Sequence, residues 1–171
     1  MNQYSNRMVI MHWLTLVLMI AAWFLGEEVH DARKAEAGAT VAGYVAHALA
    51  GAAVLLLTVL RLAFRKADGV PAPIGRSTMD KIATGVHHSL YLLLFLLPVS
   101  GMVQVMTSDV GKAILAGDAT LLPRKFDGVM AHEVHEILVT VVILLVGVHV
   151  LGALKHQFVL KDGLLKRMWF K

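Results

Sequence analysis

The chain has 171 residues, 57% of them hydrophobic and only 16% charged, with a mean hydropathy of +0.67. A soluble domain usually carries about a quarter charged residues and under half apolar ones, so a soluble enzyme core, a nucleic-acid module and a disordered tail all fit poorly. The absence of cysteine rules out disulfides, thiolate-held zinc or iron–sulfur clusters, and covalent c-type haem, which needs C-x-x-C-H.

Four uninterrupted apolar runs follow in chain order, at 8–26, 40–60, 82–108 and 137–154. A run of 18 or more residues crosses about 30 Å of hydrocarbon at 1.5 Å per residue. The pattern predicts an all-α integral membrane four-helix bundle, a single domain over 1–171, with helices near 8–26, 40–63, 82–107 and 129–156. The first run is long, lacks an A-x-A exit and contains His12 and Trp13, so it reads as a span and not as a cleaved signal peptide. An acidic connection at 27–39, a Pro/Gly-containing one at 66–79 and a longer one at 109–128 join the helices. Pro98, with Ser100 and Gly101 beyond it, is expected to kink the third helix.

Lys and Arg set the orientation. Arg7, Arg61, Arg65, Lys66, Arg76, Lys81, Lys155, Lys161, Lys166, Arg167 and Lys171 fall on one side of the membrane. Only Arg33, Lys34, Lys112, Arg124 and Lys125 fall on the other. The positive-inside rule then puts both termini in the cytoplasm, and it accounts for the net charge of +4 and pI near 9.5 without a nucleic-acid partner.

Nine histidines are many for so apolar a chain. Ionisable residues within membrane helices are costly and usually functional. His12, His47, His87, His135 and His149 lie in or at the edges of the apolar runs, on all four helices. By this topology His47 and His135 share the outer leaflet, while His12, His87 and His149 share the inner one. His135 and His149 are fourteen residues apart, a rise of about 21 Å and within about 40° of four full turns, so they face the same way. Two imidazoles from facing helices are what a low-spin b haem needs. Any two of the three inner histidines suffice by depth; pairing His12 with His149 keeps both haems on the fourth helix and leaves His87 for a propionate or a substrate. Gly43 and Gly51 around His47, and Gly147 and Gly152 around His149, suit either a close porphyrin or ordinary small-residue helix packing.

The remaining histidines read more plainly. His88 faces away from His87, His132 is interfacial, and His30 is a solvated surface residue. His156 reaches the cytoplasmic rim, where it joins Arg61, Arg65 and Arg76 as a candidate for propionate contact. Lys112, Arg124 and Lys125 are candidates for steering an anion, against Asp109, Asp118 and Asp127 in the same segment. A histidine-lined metal carrier would normally add intramembrane Asp or Glu, which these runs lack.

The motifs I-M-H-W-L, Y-V-A-H-A-L-A-G, V-L-R-L-A-F-R, H-H-S-L-Y-L-L-L-F-L-L-P-V-S-G-M, H-E-I-L, G-V-H-V-L-G-A-L-K-H and K-D-G-L-L-K-R-M occur in that order. As an ordered set they resemble the bacterial cytochrome b561 family, over nearly the whole chain. The likeness is closest to its small stand-alone members, the superoxide oxidases (superoxide:ubiquinone oxidoreductases). The resemblance implies a bundle in the inner membrane around two b haems, with axial ligands at His12, His47, His135 and His149. It also implies a ubiquinone site towards the cytoplasm, for which Arg61, Arg65, Arg76 and His156 are the candidate contacts, and superoxide arriving from the periplasm. His87 occupies the position of a further family histidine. The family also includes cytochromes that carry electrons for hydrogenases and other dehydrogenases, so a quinone-linked subunit serving a partner redox protein is the competing expectation.

Overall fold

The computed structural model describes residues 3–35, 38–72 and 78–170. Five α-helices follow one another: α1 (Asn6–Lys34), α2 (Val41–Asp68), α3 (Thr78–Thr107), the short α4 (Asp109–Ala116) and α5 (Met130–Leu154). The last continues as a wider π turn over Lys155–Leu160, and single 3-10 turns cover Ala119–Leu121 and Leu164–Met168. There is no strand among the described residues.

Side chains start the helices where the sequence offers them. Ser5 caps α1 by accepting from the Met8 amide, Thr40 caps α2 through Gly43, and Ser108 caps α4 through Val110. Each satisfies an amide that the first turn leaves without a partner.

Helix ends differ from the hydropathy boundaries. α1 passes Gly26 and runs on to Lys34, so most of the expected acidic connection is helical. Residues 27–34 are mostly good helix formers, and Arg33 and Lys34 in the final turn complement the helix dipole. Hydropathy marks the lipid-length part of a helix, not its end. α2 likewise continues to Asp68 and stops at Gly69, whose φ of 72° few other residues adopt. α4 occupies part of the expected 109–128 connection. Pro98 stays within α3, which remains helical to Thr107.

α1, α2, α3 and α5 with its continuation are long and apolar enough to cross a membrane. Little of each span is buried inside the protein, and Val17, Leu49, Leu144 and Leu151 point outward. In hydrocarbon such faces cost nothing, while every backbone polar group is closed within its own helix. α1 packs on α2 and α3 on α5, and α2 against α3 joins the two hairpins; neither α1 nor α2 packs closely on α5.

The two ends are distinct. At the terminal end the Tyr4 amide donates to Arg167 O (3.1 Å), Trp13 Nε1 to Met168 O (3.0 Å) and Arg167 Nη1 to Ala72 O (2.7 Å). Arg7 grips Asp68 with two nitrogens, so both chain ends lie together. At the loop end α4 packs on α2, and Tyr44, Val110 and Phe126 form a small buried cluster.

The lack of cysteine makes this two-ended layout directly testable. Single Ala67→Cys and Ala119→Cys variants stand at opposite ends, so a membrane-impermeant maleimide added to one side of oriented vesicles should label one and spare the other. Equal labelling of both would contradict the four-span fold.

Candidate functional site

Four half-buried histidines meet in two pairs across the space between α5 and the α1/α2 hairpin. At the loop end, the rings of His47 (α2) and His135 (α5) have centres 6.2 Å apart and planes at 83°. At the terminal end, His12 (α1) and His149 (α5) are also 6.2 Å apart, at 68°. Metal–imidazole bonds are about 2 Å, so two rings on opposite sides of one iron have centres about 6.3 Å apart. Both pairs match that separation. His87 lies 5.2 Å from His149 and is the most exposed of the five, so it belongs to the terminal-end group without matching the spacing.

Neighbouring helices set the orientation of the loop-end rings. His47 Nδ1 is 2.9 Å from the carbonyl of Ala22 in α1, which can only accept, so Nδ1 carries the proton. His135 Nδ1 is 2.9 Å from Ser100 Oγ, and that hydroxyl gives its own proton to Leu97 O at 2.7 Å. Ser100 therefore accepts from His135. Both rings hold Nδ1–H and keep Nε2 as a lone pair, the arrangement that orients metal-binding histidines. Pro98 and Ser100 thus sit beside His135, and the Ser100 hydroxyl accepts the hydrogen bond of its ring.

Two glycines make room for these rings, and they are not those nearest in sequence. A Cβ on Gly26 of α1 would stand 3.0 Å from His47 Cε1, and one on Gly101 of α3 would stand 3.2 Å from His135 Cε1. Gly43 instead packs against Val29, as in ordinary helix contact. Gly51, Gly147 and Gly152 border open space that a Cβ would enter. The spacing around each histidine drew attention to its own helix; the close approaches come from the helix opposite.

At the terminal end Arg61 is half-buried, with Nη2 3.4 Å from His12 Nδ1 and its guanidinium 5.2 Å above the Tyr91 ring. Its Nε is buried without a partner. Arg65 lies over the same ring at 5.9 Å. His156, in the π turn, pairs with Asp162 at 2.5 Å and holds that carboxyl below the usual carboxylate range. His88 is exposed, and Arg76 lies outside the described residues.

The three candidate steering cations are at the loop end. Lys112 is bonded to Asp109 at 2.7 Å, which raises the lysine's pKa. Lys112 and Lys125 line one cleft of about 320 Å³ together with Asp109 and Asp127, so its two positive charges are balanced. Arg124 stands beside it in sequence, with an interaction of its own.

Comparison with known proteins agrees with this geometry. The family described as prokaryotic cytochrome b561 matches residues 3–171. The chain belongs to that family. It is 33% identical over 168 residues to a cytochrome b562 of Cereibacter sphaeroides, covering 96% of this chain and 94% of the relative. It is 30% identical to cytochrome b561 homolog 2 of Escherichia coli, covering 98% and 91%. Homolog 1 of the same organism is 25% identical, covering 98% and 97%. Membership makes this a bacterial multi-pass membrane protein that binds haem b and transfers electrons, and the loop-end pair of imidazoles, each with Nε2 free, fits that group.

Gly26→Val and Gly101→Val must displace the two rings of one pair. Both should therefore alter the same component of the reduced-minus-oxidised b-type spectrum while leaving any second component intact. Different components changing in the two variants would show that the rings serve separate sites.

Proposed function

We propose that the chain holds two b haems and oxidises superoxide at the loop end while reducing ubiquinone near the terminal end. On this reading it lies in the bacterial inner membrane with both termini in the cytoplasm. The observation that carries it is the pair of imidazole pairs, each at 6.2 Å and one at either end of the bundle.

When bound, haem b supplies a one-electron carrier whose potential follows its axial ligands, burial and surrounding hydrogen bonds. His47 and His135 would hold one group and His12 and His149 the other. Overall, two superoxide anions each lose one electron and leave as O₂, and one ubiquinone gains two electrons and two protons. No side chain forms a covalent bond in this reaction. The chain binds, orients and excludes water.

At the terminal end the residues have two tasks. A histidine that ligates through Nε2 keeps its proton on Nδ1, where Arg61 now faces His12 as a donor. Holding iron there requires Arg61 to turn from His12 towards the carboxylates of the group, and its unpartnered Nε suits that move. His87, exposed beside His149, is then left for the quinone headgroup, with Arg65 close to it and His156 at the same end as further candidates, while Arg76, also a candidate by sequence, lies outside the described residues. At the loop end Lys112, Arg124 and Lys125 attract the anion.

The balanced charge of the loop-end cleft favours a second reading, a cytochrome b subunit that receives electrons from a docked partner redox protein. Mixed charge suits a protein surface as well as it suits a small anion.

His47→Ala and His135→Ala should each remove the same haem and leave the other, as counted by haem per chain and by spectrum. His12→Ala should remove the second. If His47→Ala and His12→Ala delete the same component, the pairing is wrong.

Purified protein given superoxide and a ubiquinone analogue tests the activity. Superoxide should reduce the haems and the quinone, and the first step should slow as salt rises, because screening acts over about 8 Å at physiological ionic strength. A Lys112→Gln/Arg124→Gln/Lys125→Gln variant should be slower and less salt-sensitive. Arg61→Gln and His87→Ala should slow quinone turnover several-fold while superoxide still reduces the haems. Salt-insensitive kinetics with an unaffected triple variant moves the assignment to the partner-linked subunit.

A further inference from the structure

Three polar atoms at the loop end are buried without a partner: Arg33 Nε, Tyr44 OH and His132 Nδ1. Buried polar groups are nearly always hydrogen-bonded, so three unsatisfied atoms in one place call for an explanation. They do lie in one place. The Arg33 guanidinium is 4.7 Å above the Phe126 ring, that ring is 4.3 Å from His132, and Phe126 shares a buried cluster with Tyr44. Arg33 is close enough to act electrostatically on both Tyr44 and His132.

Their position relative to the loop-end pair is regular. Tyr44 precedes His47 by three residues on α2, and His132 precedes His135 by three on α5. Residues three apart share a helix face, so each stands one turn nearer the loop end than its histidine. Arg33, on the extension of α1 beyond the apolar run, reaches the same level. His30 is half-buried with Nδ1 3.2 Å from Arg33 Nη2, a correction to its reading as a solvated histidine. Glu136 takes Nε2 of His132 at 3.2 Å, which turns Nδ1 to the cluster, and Glu133 lies nearby.

We propose that Arg33, Tyr44 and His132 form a carboxylic-acid seat for the outward edge of the group held by His47 and His135, namely the propionates of the loop-end haem. The seat rests on the two-haem reading above. The two propionic acid groups of one haem together satisfy all three atoms, one ionised and the other protonated. The oxygens of the ionised group accept from Arg33 Nε and Tyr44 OH, and the O–H of the protonated one donates to His132 Nδ1. The guanidinium offsets the carboxylate charge in a region of low dielectric, so it raises the potential of that haem alone.

The test is a redox titration of the purified holoprotein, with wild type compared to Arg33→Gln, Arg33→Lys and Tyr44→Phe. Haem content should remain unchanged. At fixed ambient potential, Arg33→Gln should shift the oxidised-to-reduced ratio of the loop-end haem about tenfold towards oxidised, about 59 mV for a one-electron couple. Arg33→Lys should recover part of that shift, and Tyr44→Phe should give a smaller one in the same direction. The propionate bending band in the resonance Raman spectrum should move in all three. The other haem should not respond.

An unchanged loop-end potential, or equal shifts in both haems, overturns the seat. If nitrate shifts the wild-type potential and Arg33→Gln abolishes that response, the occupant is a free anion and the propionate assignment falls. Failure of the two-haem reading looks different: wild type would titrate as one component, or the responding component would survive in His47→Ala.

Discussion

An imidazole placed among membrane helices has two nitrogens to satisfy and almost no water to do it with. At the loop end each ring gives one nitrogen to a neighbouring helix: His47 to the backbone of α1, His135 to Ser100 of α3. The hydrogen bond fixes the tautomer, the tautomer frees the other nitrogen, and the free nitrogen fixes where a metal is held. One imidazole pair thus engages all four long helices, two as bearers and two as supports. Gly26 and Gly101 follow from the same demand, since a supporting helix must approach a ring more closely than a side chain permits.

The terminal end solves a different problem. Arg61 carries its charge within a hydrophobic span and lies over Tyr91, a contact worth roughly 0.5–2 kcal/mol depending on desolvation. A charge at that depth is far more costly than a ring face repays, so its place beside His12 points to an anionic group as its working partner. The ring of bonds around it, from Arg7 to Asp68 and from Arg167 to Ala72, ties the helix ends together where the chain also starts and finishes.

Much of this was legible in the sequence because membranes impose simple lengths and simple costs. Run length gave the spans, and helical rise put His47 with His135 in one layer and His12, His87 and His149 in the other, without choosing among the last three. What the sequence hid was whatever depends on a neighbour's identity. Nothing local to Gly26 or Gly101 says that an imidazole from another helix lies against it, and Ser100 looked like part of a kink. Arg33 was counted only as a topological charge, because hydropathy ended α1 at Gly26 while the helix in fact continues. Spacing left Gly43 open between a porphyrin and helix packing, and its neighbour is Val29 of the adjoining helix.

The bundle is made of two hairpins, α1 with α2 and α3 with α5, joined by one seam between α2 and α3. Contacts between consecutive segments form at small loop-closure cost, so each hairpin can assemble as it leaves the insertion machinery, before the other is complete. The opposite seam, where α5 faces α1 and α2, has no comparable helix contact to close it. Both histidine pairs bridge that seam. On the two-haem assignment proposed above, insertion of the prosthetic group would be the final folding step, the one that turns two neighbouring hairpins into a single cooperative body. Cellular haem supply would then govern how much of the chain matures, and quality control would meet unfilled protein as a half-closed pair rather than as an unfolded one.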